Sequence, residues 1–125
     1  MNRIIIDTNF AMIPAQFNLD IFSEIERIIP GKHKISVLDK TIDELNKIIK
    51  EQKGKHKRNA SLALQILKAK KVNIIKTKSG YADDLLVEIA KKTDYIATQD
   101  LGLKRRLKDK CHIIVMRQKK FLKIL

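Results

Sequence analysis

Five short apolar runs constrain this chain more than any other feature: RIII at 3–6, ISVL at 35–38, VNII at 72–75, YIAT at 95–98 and HIIVM at 112–116. Each is too short for a helix and reads as a strand, and the three isoleucines of the first read as a strand buried on both faces. Between them the period changes. Residues 18–29 put Leu19, Phe22, Ile25, Ile28 and Ile29 on one helical face, and Pro30-Gly31 ends that helix. Helices are also predicted over 41–51, 59–70, 83–92 and 101–108. Strands alternating with helices give an α/β fold with a parallel sheet. In such sheets ligands bind beyond the carboxyl ends of the strands. Asp7 directly follows the first run, Asp39 the second, and Asp100 lies just past the fourth.

A chain of 125 residues, 44% of them hydrophobic, is sized for a single domain, here 1–125, with a real core. The formal net charge is +13, and all of the excess sits in two stretches: 47–58 carries +5 and 104–125 carries +8. That distribution is the footprint of a polyanion binder, with nucleic acid the first candidate. Neither stretch has the aromatic-rich apolar face that docks on a membrane surface, and no apolar run approaches the ~20 residues of a spanning helix. The first strand starts at once, so no signal peptide is expected. Cys111 is the sole cysteine. It can form no internal disulfide, which points to a reducing, cytoplasmic compartment.

Asp7, Glu44, Asp83 with Asp84, and Asp100 each follow a strand or open a helix, so a parallel sheet brings them to one edge. Clustered carboxylates repel unless a cation joins them, and all-oxygen clusters suit hard divalent ions such as Mg²⁺ or Mn²⁺. Two such ions can activate a water and stabilise the leaving oxygen in phosphodiester hydrolysis. No Cys/His spacing suggests zinc. Each acid also has an ordinary structural use. Thr41 and Glu44 fit a capping box, Asp83 fits an N-cap, and Asp100 fits the cap of the 101–108 helix. Capping does not explain four acids at successive crossings of one edge in a basic protein.

The segments IIIDTNF, TIDEL, YADDLLVEIA and ATQDLGLKRRL resemble, in order and spacing, the PIN-domain ribonucleases over nearly the whole chain. YADD with ATQD…LKRR is most similar to the branch acting in small-subunit ribosomal RNA processing. The resemblance implies a three-layer sandwich with a five-stranded parallel sheet flanked by helices. It implies a Mg²⁺- or Mn²⁺-dependent endoribonuclease whose metal ligands and catalytic acids are Asp7, Glu44, Asp83 and Asp100. Asn9 would orient Asp7 by a hydrogen bond, Asp84 would stand in for Asp83, and Thr98 would lie close to the metal or the scissile phosphate. The branch often has a further acid two residues past the one matching Asp100. Here that position is Gly102, which leaves one ion or two open.

The expected reaction hydrolyses an RNA phosphodiester to a 5′-phosphate and a 3′-hydroxyl. The expected partners are precursor rRNA, ribosome-assembly proteins and, left open, a second copy of the chain. Lys53, Lys55, Lys57 and Arg58, in a segment 50–59 read as a loop, and Lys104, Arg105, Arg106 and Lys108 would contact the RNA backbone. Phosphate contacts of this kind hold a strand without reading its sequence. Two alternatives stay open: a catalytically silent RNA-binding module, and a toxin-type ribonuclease of a toxin–antitoxin pair. A haloacid-dehalogenase-type phosphatase would need an aspartate where Asn9 stands.

Overall fold

A computed structural model describes all 125 residues. The elements run β1 (Asn2–Ile6), α1 (Thr8–Ala11), α2 (Ile13–Phe17), α3 (Ile21–Ile28), β2 (His33–Leu38), α4 (Asp39–Glu51), α5 (Lys55–Ala69), β3 (Asn73–Ile75), α6 (Ala82–Ile89), β4 (Tyr95–Ala97), α7 (Leu101–Leu107), β5 (His112–Arg117) and β6 (Phe121–Ile124). The sheet order is β3-β2-β1-β4-β5-β6. β1 to β5 pair in parallel, as expected, and β6 adds an antiparallel strand at the edge.

The three isoleucines of β1 are fully buried because the two-residue period of a strand divides them between two cores. Ile4 and Ile6 join Val37, Phe10, Leu45, Ala60 and Ala63 on the face covered by α1 to α5. Ile5 joins Leu38, Leu86, Ile96, Leu103 and Val115 on the face covered by α6 and α7. Helices on both faces make the three-layer α/β sandwich.

Strand order decides where a crevice can open. From β1 the chain winds outward through β2 to β3, then returns to place β4 on the other side of β1. The gap between β1 and β4 is therefore the switch point of the sheet, where the flanking connections leave in opposite directions. The residues after β1 and β4 face that crevice together. Asp7 donates its backbone N–H to Ala97 O at 3.1 Å, which locks the two strand ends side by side.

The sixth strand follows from a turn in which Gln118 and Lys119 both adopt positive φ, at 53° and 54°. Its outer edge is occupied. Glu24 Oε1 accepts the Leu122 N–H at 2.9 Å, and Arg27 Nη2 donates to Leu122 O at 3.0 Å. An ion pair on α3 thus satisfies backbone groups that an open edge would expose to a second chain.

At the opposite end of β1, Arg3 Nη2 and Nε reach Asp94 at 2.6 and 3.1 Å, and Nη2 also donates to Ile89 O. Asp94 is almost fully buried and accepts Lys91 N–H as well. Removing Arg3 would leave a buried carboxylate without its counter-charge. Arg3→Met is expected to lower stability by about 3 kcal/mol in urea unfolding. A loss under about 1 kcal/mol would mean that the pair contributes little.

Candidate active site

Asp7 ends β1 and is the N-cap of α1. Its Oδ1 accepts the Phe10 N–H at 2.8 Å, and its Oδ2 accepts the Thr98 hydroxyl. Only 9% of the residue is exposed. Thr98, fully buried after β4, also accepts the Asp100 N–H at 3.1 Å. A single hydroxyl therefore fixes two of the expected acids. The resemblance puts Thr98 close to the metal or phosphate, and the structure gives it the further role of positioning these two acids. Asn9, expected to orient Asp7, does not do so. Its side chain is exposed, and the two hydrogen bonds to the Asp7 carboxylate come from Phe10 and Thr98.

Glu44 is not a capping-box residue. α4 starts at Asp39, so Thr41 lies inside the helix, where its buried hydroxyl stands 3.1 Å from that of Thr8. Thr8 Oγ1 lies 3.1 Å from Glu44 Oε1 and donates to it. Sequence reading gives Thr8 no role. The signal is present nonetheless: a threonine beside the strand-end aspartate, with a second threonine three residues before Glu44. Asp39, also at this edge, is spent on structure. It accepts the Thr77 N–H at 3.1 Å and the Thr77 hydroxyl at 2.6 Å, which anchors the segment after β3.

Asp83 and Asp84 divide cleanly. Asp84 pairs with Arg106 at 2.8 Å. Asp83 lies in the first turn of α6, whose N-cap position is Tyr81, and it feels the charges of Asp100 and Arg106. Asp100 does cap α7, through Leu103 N–H at 2.7 Å. Capping and facing the crevice are compatible for Asp7 and Asp100. Gly102 is tight against this arrangement, since a Cβ there would come 3.2 Å from Asp100 Oδ1.

The electrostatics join these positions into one site. Burial pushes the Asp7 carboxyl up to about 6. The bonds from Thr98 and Phe10 pull it back, and the charges of Asp83 and Asp100 push it further up. Glu44 is raised by burial and by Asp83, against the Thr8 bond. Asp83 is raised by burial and then by Asp100, against Arg106. Asp7, Glu44 and Asp83 are thus each raised in one crevice, with Asp100 beside them as a further negative charge. In donor type and charge they fit a hard divalent cation. As the side chains stand, no three His, Cys, Asp or Glu converge on one point closely enough to ligate an ion.

The basic residues fall into two regions. Residues 50–58 are exposed throughout, but they are not one loop. Only 52–54 are non-helical. Gly54, at φ 65°, reverses the chain, and Lys55, Lys57 and Arg58 form the opening turn of α5. Positive charge at a helix N-terminus opposes the helix dipole, so these residues are not there to stabilise α5. Lys53 precedes them in the turn. On α7, Arg106 faces α6 and the acids. Lys104, Arg105 and Lys108 line a different cavity of about 500 Å³ with Leu101, Cys111 and Leu125.

Comparison with known proteins agrees with this geometry. The family model described as "PIN like domain" matches residues 4–119. The chain belongs to the PIN-like domain family. It is 30% identical over 127 residues to Ribonuclease VapC4 of Methanocaldococcus jannaschii, a match covering 99% of this chain and 97% of that one. It superposes on the solved structure of the PIN domain endonuclease Utp24 with a TM-score of 0.79 and 25% identity, over 98% of this chain and 90% of the other. The sixth strand and the two short helices α1 and α2 are details that the resemblance does not specify.

The raised Asp7 carboxyl has a consequence for stability. The unfolded group titrates near 3.8 and the folded group near 6. Below about pH 4 both states are protonated and the site costs nothing. The cost grows as pH rises from about 4 to about 6 and is complete above that, at roughly 3 kcal/mol. Asp7→Asn keeps the shape and removes the charge. It is expected to raise Tm at pH 7, with the gain shrinking to zero as melts are run toward pH 4. An unchanged or lower Tm at pH 7 would show that the charge is not strained.

Proposed function

We propose that this chain is a Mg²⁺- or Mn²⁺-dependent endoribonuclease of one domain, acting in the cytoplasm on precursor small-subunit ribosomal RNA. The observation that carries the reading is the gathering of Asp7, Glu44, Asp83 and Asp100 at the switch point of the sheet, in a protein whose exposed surface is strongly basic. Likeness to a ribonuclease and to an endonuclease supports RNA hydrolysis. The rRNA substrate rests on the YADD and ATQD…LKRR segments.

Asp7, Glu44, Asp83 and Asp100 would hold the cation. Bound there, a divalent ion supplies a more acidic water and offsets charge at the scissile phosphate. The rest is work for the chain's own side chains. Thr98 holds the Asp7 carboxylate with one face toward the crevice, and its backbone-linked grip on Asp100 keeps the two acids in fixed relation. Thr8 does the same for Glu44. Arg106, next to Asp83, meets the RNA backbone beside the cut. Lys53, Lys55, Lys57 and Arg58 hold it further away. Such contacts bind without reading sequence, so choice of site comes from RNA shape or from assembly partners.

Cleavage of a precursor small-subunit rRNA fragment tests this. Wild type with Mn²⁺ or Mg²⁺ is expected to cut. EDTA should abolish cutting, and Asp7→Asn should reduce it at least ~100-fold while leaving RNA binding within a few-fold. Tight, salt-sensitive binding without any cutting would favour a silent RNA-binding module.

A further inference from the structure

Glu44 and Asp83 open onto a cavity of about 560 Å³ whose other lining side chains, Lys40, Asp43, Lys47 and Tyr81, have no role above. One wall is α4, contributing Lys40, Asp43, Glu44 and Lys47. The other is the segment entering α6, contributing Tyr81 and Asp83. Lys40 and Lys47 stand four residues before and three after Glu44, so all three share one helical face. Neither lysine is in an ion pair, although the charge of Lys47 reaches Glu44 and that of Lys40 reaches Asp39.

Tyr81 is the unexpected member. It is 83% exposed, the most exposed aromatic side chain in the protein, while Tyr95 is buried in the core. A tyrosine ring left in water forfeits the burial its size makes available. The ring is also held on a prepared segment. Thr77 is tied to Asp39, Lys78 to Glu88 at 2.7 Å, and Leu85 N–H to Tyr81 O at 3.0 Å. Gly80 has φ 146°, a conformation that side-chain-bearing residues rarely adopt, and it sets the backbone direction entering Tyr81. A flat aromatic face, two lysines and three acids, Glu44 and Asp83 among them, surround one cavity, and the ring, the cations and the candidate catalytic acids match the parts of a nucleotide: base, phosphate and reacting bond.

We infer that this cavity receives an unpaired nucleotide of single-stranded RNA flanking the scissile phosphate, its base stacked on Tyr81 and its phosphate held by Lys40 and Lys47. The inference rests on the endoribonuclease reading and adds a base-stacking subsite to it. In a duplex both faces of each base are covered by neighbours, so only an unpaired base can stack on a protein ring. The site would take any base, because every base has a π face.

The test is a fluorescence titration, in EDTA so that nothing is cut, of a single-stranded oligoribonucleotide carrying 2-aminopurine. Wild type, Tyr81→Ala and Tyr81→Phe are compared, with a duplex of the same sequence as control. Wild type is expected to bind and quench the probe. Tyr81→Ala should lose the quench and about 10-fold or more in affinity. Tyr81→Phe should keep both, and duplex affinity should be equal for all three. Thermal melts check that the exposed substitutions leave the fold intact. Single-strand affinity and quench unchanged in Tyr81→Ala, or lost equally in Tyr81→Phe, would overturn the stacking site. Parallel cleavage with Mn²⁺ separates the two readings. Cutting with Tyr81-independent binding sinks this inference alone. Tyr81-dependent binding without cutting supports the subsite and sinks the nuclease.

Discussion

The structure depends on one unfavourable placement: a carboxylate at the buried end of a central strand. β1 occupies the middle of the sheet, with Ile4, Ile5 and Ile6 contributing to both cores. Asp7 comes next in the chain, and it cannot move to solvent without pulling that strand with it. Burial raises its proton affinity, and Asp83 and Asp100 raise it further. Groups held against their own preference in this way are what a fold supplies when the site, and not the fold, needs the charge. Two hydrogen bonds, from Phe10 and Thr98, limit the cost without removing it.

Around that residue the topology does the assembling. A switch point brings the ends of β1 and β4 together, so Asp7 meets Thr98 and Asp100 from the far end of the sequence. α4 and α6 then deliver Glu44 and Asp83 from opposite sides of the crevice. The two threonines are the hinge pins: Thr98 serves Asp7 and Asp100, and Thr8 serves Glu44. Positive charge is kept at the periphery, on residues 50–58 and on α7. There it can attract a polyanion from a distance without neutralising the acids. Arg106, Lys40 and Lys47 are the exceptions, and the pairing of Arg106 with Asp84 keeps it from collapsing onto Asp83.

Much of this was legible in the residues. The five apolar runs became β1 to β5, although β3, at the sheet edge, has no buried residue and leaves Ile74 exposed. The acids could be placed at one edge because each follows a strand or opens a helix in a parallel sheet. What escaped had physical reasons. β6 escaped because RQKKFLKIL reads as a basic tail, and its turn uses Gln118 and Lys119 where positive φ is usually announced by glycine or asparagine. α1 and α2 are shorter than a periodicity can reveal. The opening of α5 escaped because a lysine-rich start contradicts helix-dipole preference, so local chemistry argued for a loop. Thr8 and Thr98 act through contacts across 36 and 91 residues, which no local pattern encodes. Asn9 was assigned a bond by analogy, while the first turn of α1 leaves its side chain exposed.

The central claim is that Asp7 is held ionisable in a crowded acidic crevice in order to bind a divalent cation. Isothermal titration calorimetry of Mn²⁺ into wild type and Asp7→Asn at pH 7, without RNA, tests it most directly. Saturable binding by wild type that is lost in Asp7→Asn is the expected result. Equal binding by both proteins, or no binding by wild type, would contradict the claim and leave the buried carboxylate without its purpose.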